Sequence, residues 1–105
     1  MYKLTVTLVS SVLLMLSAAT AMAEGNAGAG KKKSEDCGDC HGPEGKGDGD
    51  TIPAIAGMPV DQFVQALDDF KTGKRKGSAM MKKQGMKLSP QDIQDLAAYY
   101  SQLKR

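Results

Sequence analysis

Three residues with the chemistry to hold a redox centre stand within five positions, in the run Cys37-Gly38-Asp39-Cys40-His41. They are the only two cysteines and the only histidine of the 105-residue chain. C-x-x-C-H is the pattern by which two thiols bond covalently to a porphyrin while the neighbouring imidazole reaches its iron. On a helix the spacing has a geometric reason, because positions i, i+3 and i+4 share one face. Other chemistries compete for the same residues. A thioredoxin-like thiol pair would sit in a βαβ context, which the chain lacks. A zinc site needs a fourth ligand, and with no further Cys or His only an Asp could serve. A disulfide between Cys37 and Cys40 suits the unmodified chain but leaves His41 unexplained. Haem accounts for all three residues. Its iron has a second axial position, for which methionine is the remaining electron-transfer ligand, and the candidates are Met58, Met80, Met81 and Met86. Spacing alone does not choose among them, although Met80 to Met86 lies between two amphipathic segments.

The elements that must position this site belong to one small domain. A net charge of +2 is too small to argue for nucleic-acid binding. With 41% hydrophobic and 25% charged residues, the chain is neither a disordered polar tract nor a multi-span membrane protein. Aromatic residues make up 5%, there is no Trp, and Gly occurs 12 times. Large core-filling side chains are therefore scarce, and a group other than protein is expected to fill the core. Residues 1–23 combine Lys3, an apolar stretch from Leu4 to about Leu16 and a small-residue run ending Ala21-Met22-Ala23. This is a secretory signal-peptide pattern, with cleavage expected after Ala23. Thr5, Thr7, Ser10, Ser11 and Ser17 dilute the roughly 20 apolar residues a spanning helix needs, so no stable membrane insertion of the mature chain is expected. Export to the periplasm would place Cys37 and Cys40 where free thiols do not persist.

After the signal peptide, residues 24–33 read as a flexible, Gly- and Ala-rich lead-in ending in a solvated lysine run, Lys31 to Lys33. From about Gly30 to Cys40 the composition permits a short helix. Gly42 to Asp50 is dense in turn formers and reads as an irregular loop. Thr51 to Pro59 holds Ile52, Ala54 and Ile55 between prolines and suits a pocket wall without regular structure. Val60, Phe63, Val64, Leu67 and Phe70 form one apolar stripe of a helix ending near Gly73. Ser89-Pro90-Gln91-Asp92 supplies an N-cap, a proline at the first helical position and a first-turn acid ahead of Ile93, Leu96, Ala97, Tyr100 and Leu103. No β-alternation or repeat is visible. The domain, residues 30–105, is expected to be all-α.

From Gly30 to the last helix the chain resembles the small bacterial class I cytochromes c. The likeness rests on Gly30 before the first Cys, Cys37-Gly38-Asp39-Cys40-His41, Ile52-Pro53-Ala54-Ile55-Ala56-Gly57, Phe70-Lys71-Thr72-Gly73-Lys74-Arg75, and Leu88-Ser89 through Tyr100. It implies three to five helices wrapped around one covalent haem c, with Cys37 and Cys40 as thioethers and His41 and a methionine on the iron. Counting back from Ser89 makes that methionine Met81, whereas counting forward from Phe70 favours Met80, an apparent insertion near Gly77 separating the two. The resemblance also implies that the Pro53 carbonyl accepts a hydrogen bond from the His41 nitrogen that does not bind iron, and that Ile52 and Ile55 line the cofactor. Met58 stands where such relatives often have Gln, and it is not assigned to iron.

The activity so implied is that of a periplasmic electron carrier, not an enzyme, exchanging single electrons with protein donors and acceptors. Two rivals are a cytochrome subunit of an oxidoreductase complex, such as a flavocytochrome sulfide dehydrogenase, and a ligand-binding haem sensor or peroxidase-like protein in which Met81 leaves the iron. Charge is unevenly placed. Residues 35–50 carry six acids against Lys46, whereas residues 71–87 carry seven basic residues and no acid. A basic rim around the candidate methionine would steer the molecule towards a partner with an acidic docking surface.

Overall fold

The structure is a computed structural model that describes residues 24–76 and 78–105. Residues 1–23, where a signal peptide is expected, and Gly77 lie outside the described residues. The chain runs through α1 (Ala27–Lys33), α2 (Glu35–His41), α3 (Val60–Thr72), α4 (Ala79–Met86) and α5 (Pro90–Ser101), with no strand among the described residues.

The last helix organises the rest. Ser89 Oγ accepts from the Asp92 amide at 3.0 Å, and the Asp92 carboxylate accepts from the Ser89 amide at 2.9 Å, a reciprocal cap with Pro90 at the first helical position. The spacing then buries Ile93, Leu96, Ala97 and Tyr100 on one side. Phe63 and Leu67 of α3 pack onto them, and the Phe63 and Tyr100 rings stack with centroids 5.7 Å apart. Helix α3 ends at Gly73, whose φ of 81° is open to glycine at little cost.

The expected loose lead-in over residues 24–33 is instead helical from Ala27, capped by the Asn26 side chain on the Ala29 amide at 2.8 Å. Packing overrides the poor propensity of its glycines. A Cβ built on Gly30 would stand 2.0 Å from the Asp95 carbonyl oxygen, and one on Gly25 equally close to that of Gln94. These glycines let α1 lie against α5 at a distance no other residue permits, and this is the most extensive helix contact in the fold. Lys33, read as part of a solvated run, pairs with Asp92 at 2.8 Å and Asp95 at 2.6 Å, while Lys31 and Lys32 are exposed. The single helix expected from Gly30 to Cys40 is two, meeting at Ser34, whose hydroxyl donates to the Lys31 carbonyl at 2.7 Å.

Helix α4 had no clear signal in the sequence. Its apolar residues do not form one stripe, and Ser78 starts it by accepting from the Met81 amide at 3.1 Å. Buried Gly85 brings it against α3, and Lys71 Nζ closes the far end by donating to the Leu88 carbonyl at 2.9 Å. Among the described residues, no helix is long and apolar enough to cross a membrane.

Candidate haem site

Helix α2 carries Cys37, Cys40 and His41 and ends on the residue that matters most. Gly42 stops it with φ 92°, so the chain turns away directly after the imidazole. The two thiols are not bridged; Cys37 is half-buried against the core and Cys40 is exposed. Burial pushes the Cys37 thiol up from its ordinary pKa, opposed in part by a hydrogen bond to Tyr100. Burial likewise raises the Tyr100 phenol, with Cys37 adding to the rise and Ser34 opposing it through a hydrogen bond.

His41 is 7% exposed, and its Nδ1 lies 2.8 Å from the Pro53 carbonyl oxygen. The carbonyl can only accept, so Nδ1 carries the proton and Nε2 is left as a lone-pair donor. The backbone carbonyl of His41 is also held, by the Gly47 amide at 2.8 Å. The segment from Gly42 to Pro53 therefore leaves His41 and returns to it. It contains no helix or strand, as its turn-rich composition suggests. Gly45 braces it by accepting from the Ile55 and Ala56 amides at 2.7 and 2.9 Å. Gly47, at φ 71°, could not be another residue, since its Cβ would fall 2.3 Å from the Ile52 oxygen and 2.8 Å from that of Pro53.

Asp48 draws this loop together. Its Oδ1 accepts from the Asp50 and Ile52 amides, each at 2.8 Å, and its Oδ2 from the Thr51 hydroxyl at 3.2 Å. In the sequence Asp48 is one of the turn formers of Gly42 to Asp50 and one of the six acids of residues 35–50, with no role of its own. An aspartate whose side chain bonds the backbone two residues on is a recognisable turn signal, and it opens the Asp48-Gly49-Asp50 run.

Of the other residues singled out, Ile52 is half-buried in this loop, and Ile55 is half-buried against the core cluster. Met58 and Met81 also pack on that cluster. Met80 and Met86 are 58% and 63% exposed. Adjacent on α4, Met80 and Met81 point in different directions because successive helical positions do not share a face.

The donor set suits a porphyrin better than a bare ion. Among the described residues no three His, Cys, Asp or Glu side chains converge as a zinc site requires. Two thiols and an imidazole along one helical face instead suit attachment points spread over a planar ring and its centre. A helical domain with this site is of the class that carries covalently attached haem.

The comparisons with known proteins agree. The Cytochrome c family model matches residues 27–104. Cytochrome c4 of Pseudomonas aeruginosa is 35% identical over 99 residues, an alignment spanning 92% of this chain and 48% of that protein. Cytochrome c-554(548) of Halomonas halodenitrificans is 37% identical over 79 residues, covering 73% of this chain and 95% of that protein. The crystal structure of reduced recombinant cytochrome c4 from Pseudomonas stutzeri superposes with a TM-score of 0.68 at 34% identity, over 76% of this chain and 46% of that one. The chain thus spans about half the length of the cytochromes c4 it matches. This chain belongs to the cytochrome c family. It is a small class I c-type cytochrome, and membership implies covalently bound haem c with its iron.

Proposed function

We propose that the chain is a monohaem electron carrier, exported to the periplasm, with Cys37 and Cys40 as the thioether positions and His41 and Met81 as the axial ligands. The His41–Pro53 hydrogen bond carries this reading, because it fixes one tautomer and one ring orientation and presents Nε2 as the ligand atom. Cys37 and Cys40 would hold the haem as thioethers, the S–H of each thiol adding across one vinyl group, so attachment would need no oxidant. Bound haem supplies a one-electron ferric–ferrous couple. Half-buried Met81, packed on the same core as Cys37, is better placed than exposed Met80 to offer a sulfur to the interior. Methionine in that place would raise the potential and would leave no open position for substrate, in keeping with a carrier and not an enzyme. Ile52 and Ile55 would line the cofactor and exclude water from it.

The exposed basic residues Lys74, Arg75, Lys76, Lys82, Lys83 and Lys87 lie on α4 and in the segments flanking it, and Met80 and Met86 of the same helix are exposed too. Such a surface fits a redox partner with an acidic docking face. The acidic residues of 35–50 are all exposed on another part of the chain.

Absorption spectra of the exported holoprotein test the assignment. Sharp reduced bands together with the weak far-red ferric band of methionine sulfur are expected. Met81→Ala should abolish that band and let ferrous haem bind carbon monoxide, while Met80→Ala should leave both unchanged. The reverse pattern would move the ligand to Met80 and leave the carrier reading standing. A high-spin, carbon monoxide-binding wild type would replace electron carriage with ligand binding or catalysis.

A further inference from the structure

We infer that Asp48 is a positioning residue for His41, holding the Pro53 carbonyl on the imidazole and thereby setting the donor strength of the ligand nitrogen. This rests on the reading of His41 as an axial ligand.

The geometry is a short chain of constraints. Ile52 is tied to Asp48 on both sides of its backbone: its amide donates to Asp48 Oδ1 at 2.8 Å, and its carbonyl accepts from the Asp48 amide at 3.0 Å. Asp50, between them, is held by the same Oδ1. Beyond the Ile52 carbonyl the peptide bond is planar, and the proline ring fixes φ of Pro53. Ile52 itself, preceding a proline, is restricted to extended conformations. One torsion, ψ of Pro53, then separates the anchored Ile52 carbonyl from the oxygen that meets His41. Two further contacts limit that torsion. Gly47 packs its backbone under the Ile52 and Pro53 carbonyls, and the Ile55 amide is bound to Gly45 at 2.7 Å. Asp48 makes no hydrogen bond to His41, yet beside His41 itself it is the one side chain among the described residues seen to bond the backbone of this loop. Its carboxyl is held below the ordinary carboxylate range chiefly by the Ile52 amide and next by that of Asp50, which agrees with a carboxylate engaged as an acceptor.

The consequence reaches the iron through the imidazole. Donation from Nδ1 to a well-placed carbonyl makes Nε2 a stronger donor and favours the ferric state. Without the Asp48 carboxylate, Ile52 and Pro53 loosen, the bond weakens, and the balance moves towards the reduced state. Loss of such a supporting hydrogen bond costs about 10–100-fold in metal affinity or activity; were the lower end of that loss to fall on the ferric state alone, the one-electron equilibrium would move tenfold, which is about 59 mV.

The test measures the midpoint potential of purified holoprotein together with the hydrogen-exchange rate of the His41 Nδ1 proton in the ferrous state, for wild type, Asp48→Ala and Asp48→Asn. Asparagine keeps an oxygen for the Ile52 and Asp50 amides, while it removes the charge and turns the Oδ2 that accepts from the Thr51 hydroxyl into a donor. The difference between the Asn and Ala variants therefore isolates the hydrogen bonds. The expected result is a ferric–ferrous equilibrium about tenfold further towards reduction, a midpoint about 59 mV higher, in the Ala variant than in the Asn variant, with faster Nδ1 exchange in the Ala variant alone. Equal potentials and equal exchange in the two variants would overturn the inference. If Asp48→Ala gives no folded holoprotein, Asp48→Ser makes the same comparison, because its short hydroxyl cannot serve both amides; a potential and exchange rate equal to those of Asn would again overturn it. Failure of the His41 assignment itself would show in the wild-type spectrum, before any variant is compared.

Discussion

Two glycines of α1, separated by one residue, should respond to alanine with opposite signs. At Gly30 the added methyl would lie 2.0 Å from the Asp95 carbonyl oxygen. Carbon and carbonyl oxygen pack at about 3.3–3.6 Å, so α1 and α5 must part by more than about 1 Å, and neither backbone can turn aside as a side chain would. Overpacking of this kind costs about 1–3 kcal/mol, against a gain in helix propensity of about 1 kcal/mol. Parting the helices also lengthens the Lys33–Asp95 pair. At Gly28 the methyl meets only the exposed Asn26 side-chain oxygen, at 3.3 Å, so the propensity gain of up to about 1 kcal/mol largely survives. The two variants should differ by about 2 kcal/mol, which at roughly 1–2 kcal/mol per molar urea for a small domain separates their midpoints by about 1–2 M. Urea titration of the holoprotein followed by far-UV circular dichroism reads this directly. Midpoints that move together, in the same direction and by the same amount, would refute the close-approach argument for α1 and α5.

Two further outcomes are expected. Asp95 accepts from Lys33, the Asn26 amide and Gln91, with Lys33 the largest influence, and its carboxyl is held down from 3.8 to about 2. A depressed carboxylate adds stability above its unfolded value and loses it as pH falls through the folded one. Wild-type stability should therefore drop between about pH 4 and pH 2, as followed by acid titration of the urea midpoint, and Asp95→Asn should flatten that window. Electron exchange with an acidic redox protein should slow by about tenfold or more between about 0.01 and 0.15 M salt, as the screening length shortens from about 30 to 8 Å. In stopped-flow measurements Lys82→Glu with Lys83→Glu should remove most of that dependence, and a rate indifferent to salt would reject steering.

The legible parts of the sequence were those in which local and tertiary demands coincide. In α5 the Ser89-Pro90-Gln91-Asp92 cap and the apolar period agree, and in α3 the stripe from Val60 to Phe70 ends at a glycine that takes a positive φ. Cys37, Cys40 and His41 stood out because their types and spacing admit few chemistries. Helix α1 was hidden because its evidence is steric: Gly30 weakens a helix in isolation and permits one only when Asp95 is its neighbour. Helix α4 was hidden because it is held by a cap and by Gly85, with no apolar stripe to announce it. The role of Asp48 could not be read as more than a turn, since the atom it controls belongs to Pro53 and the atom that benefits belongs to His41.

The contact between α1 and α5 joins segments more than 60 residues apart, because Asn26 bonds to Asp95 across a separation of 69 positions. The helix that carries Cys37, Cys40 and His41 follows α1 and precedes everything that α5 completes. As the chain emerges from its N-terminal side, Cys37, Cys40 and His41 come into being while the closing partner of α1 is still to be made. The two ends of the described chain thus close on each other, and Cys37, Cys40 and His41 lie within the loop of chain that Leu96, Ala97 and Tyr100 help to shut.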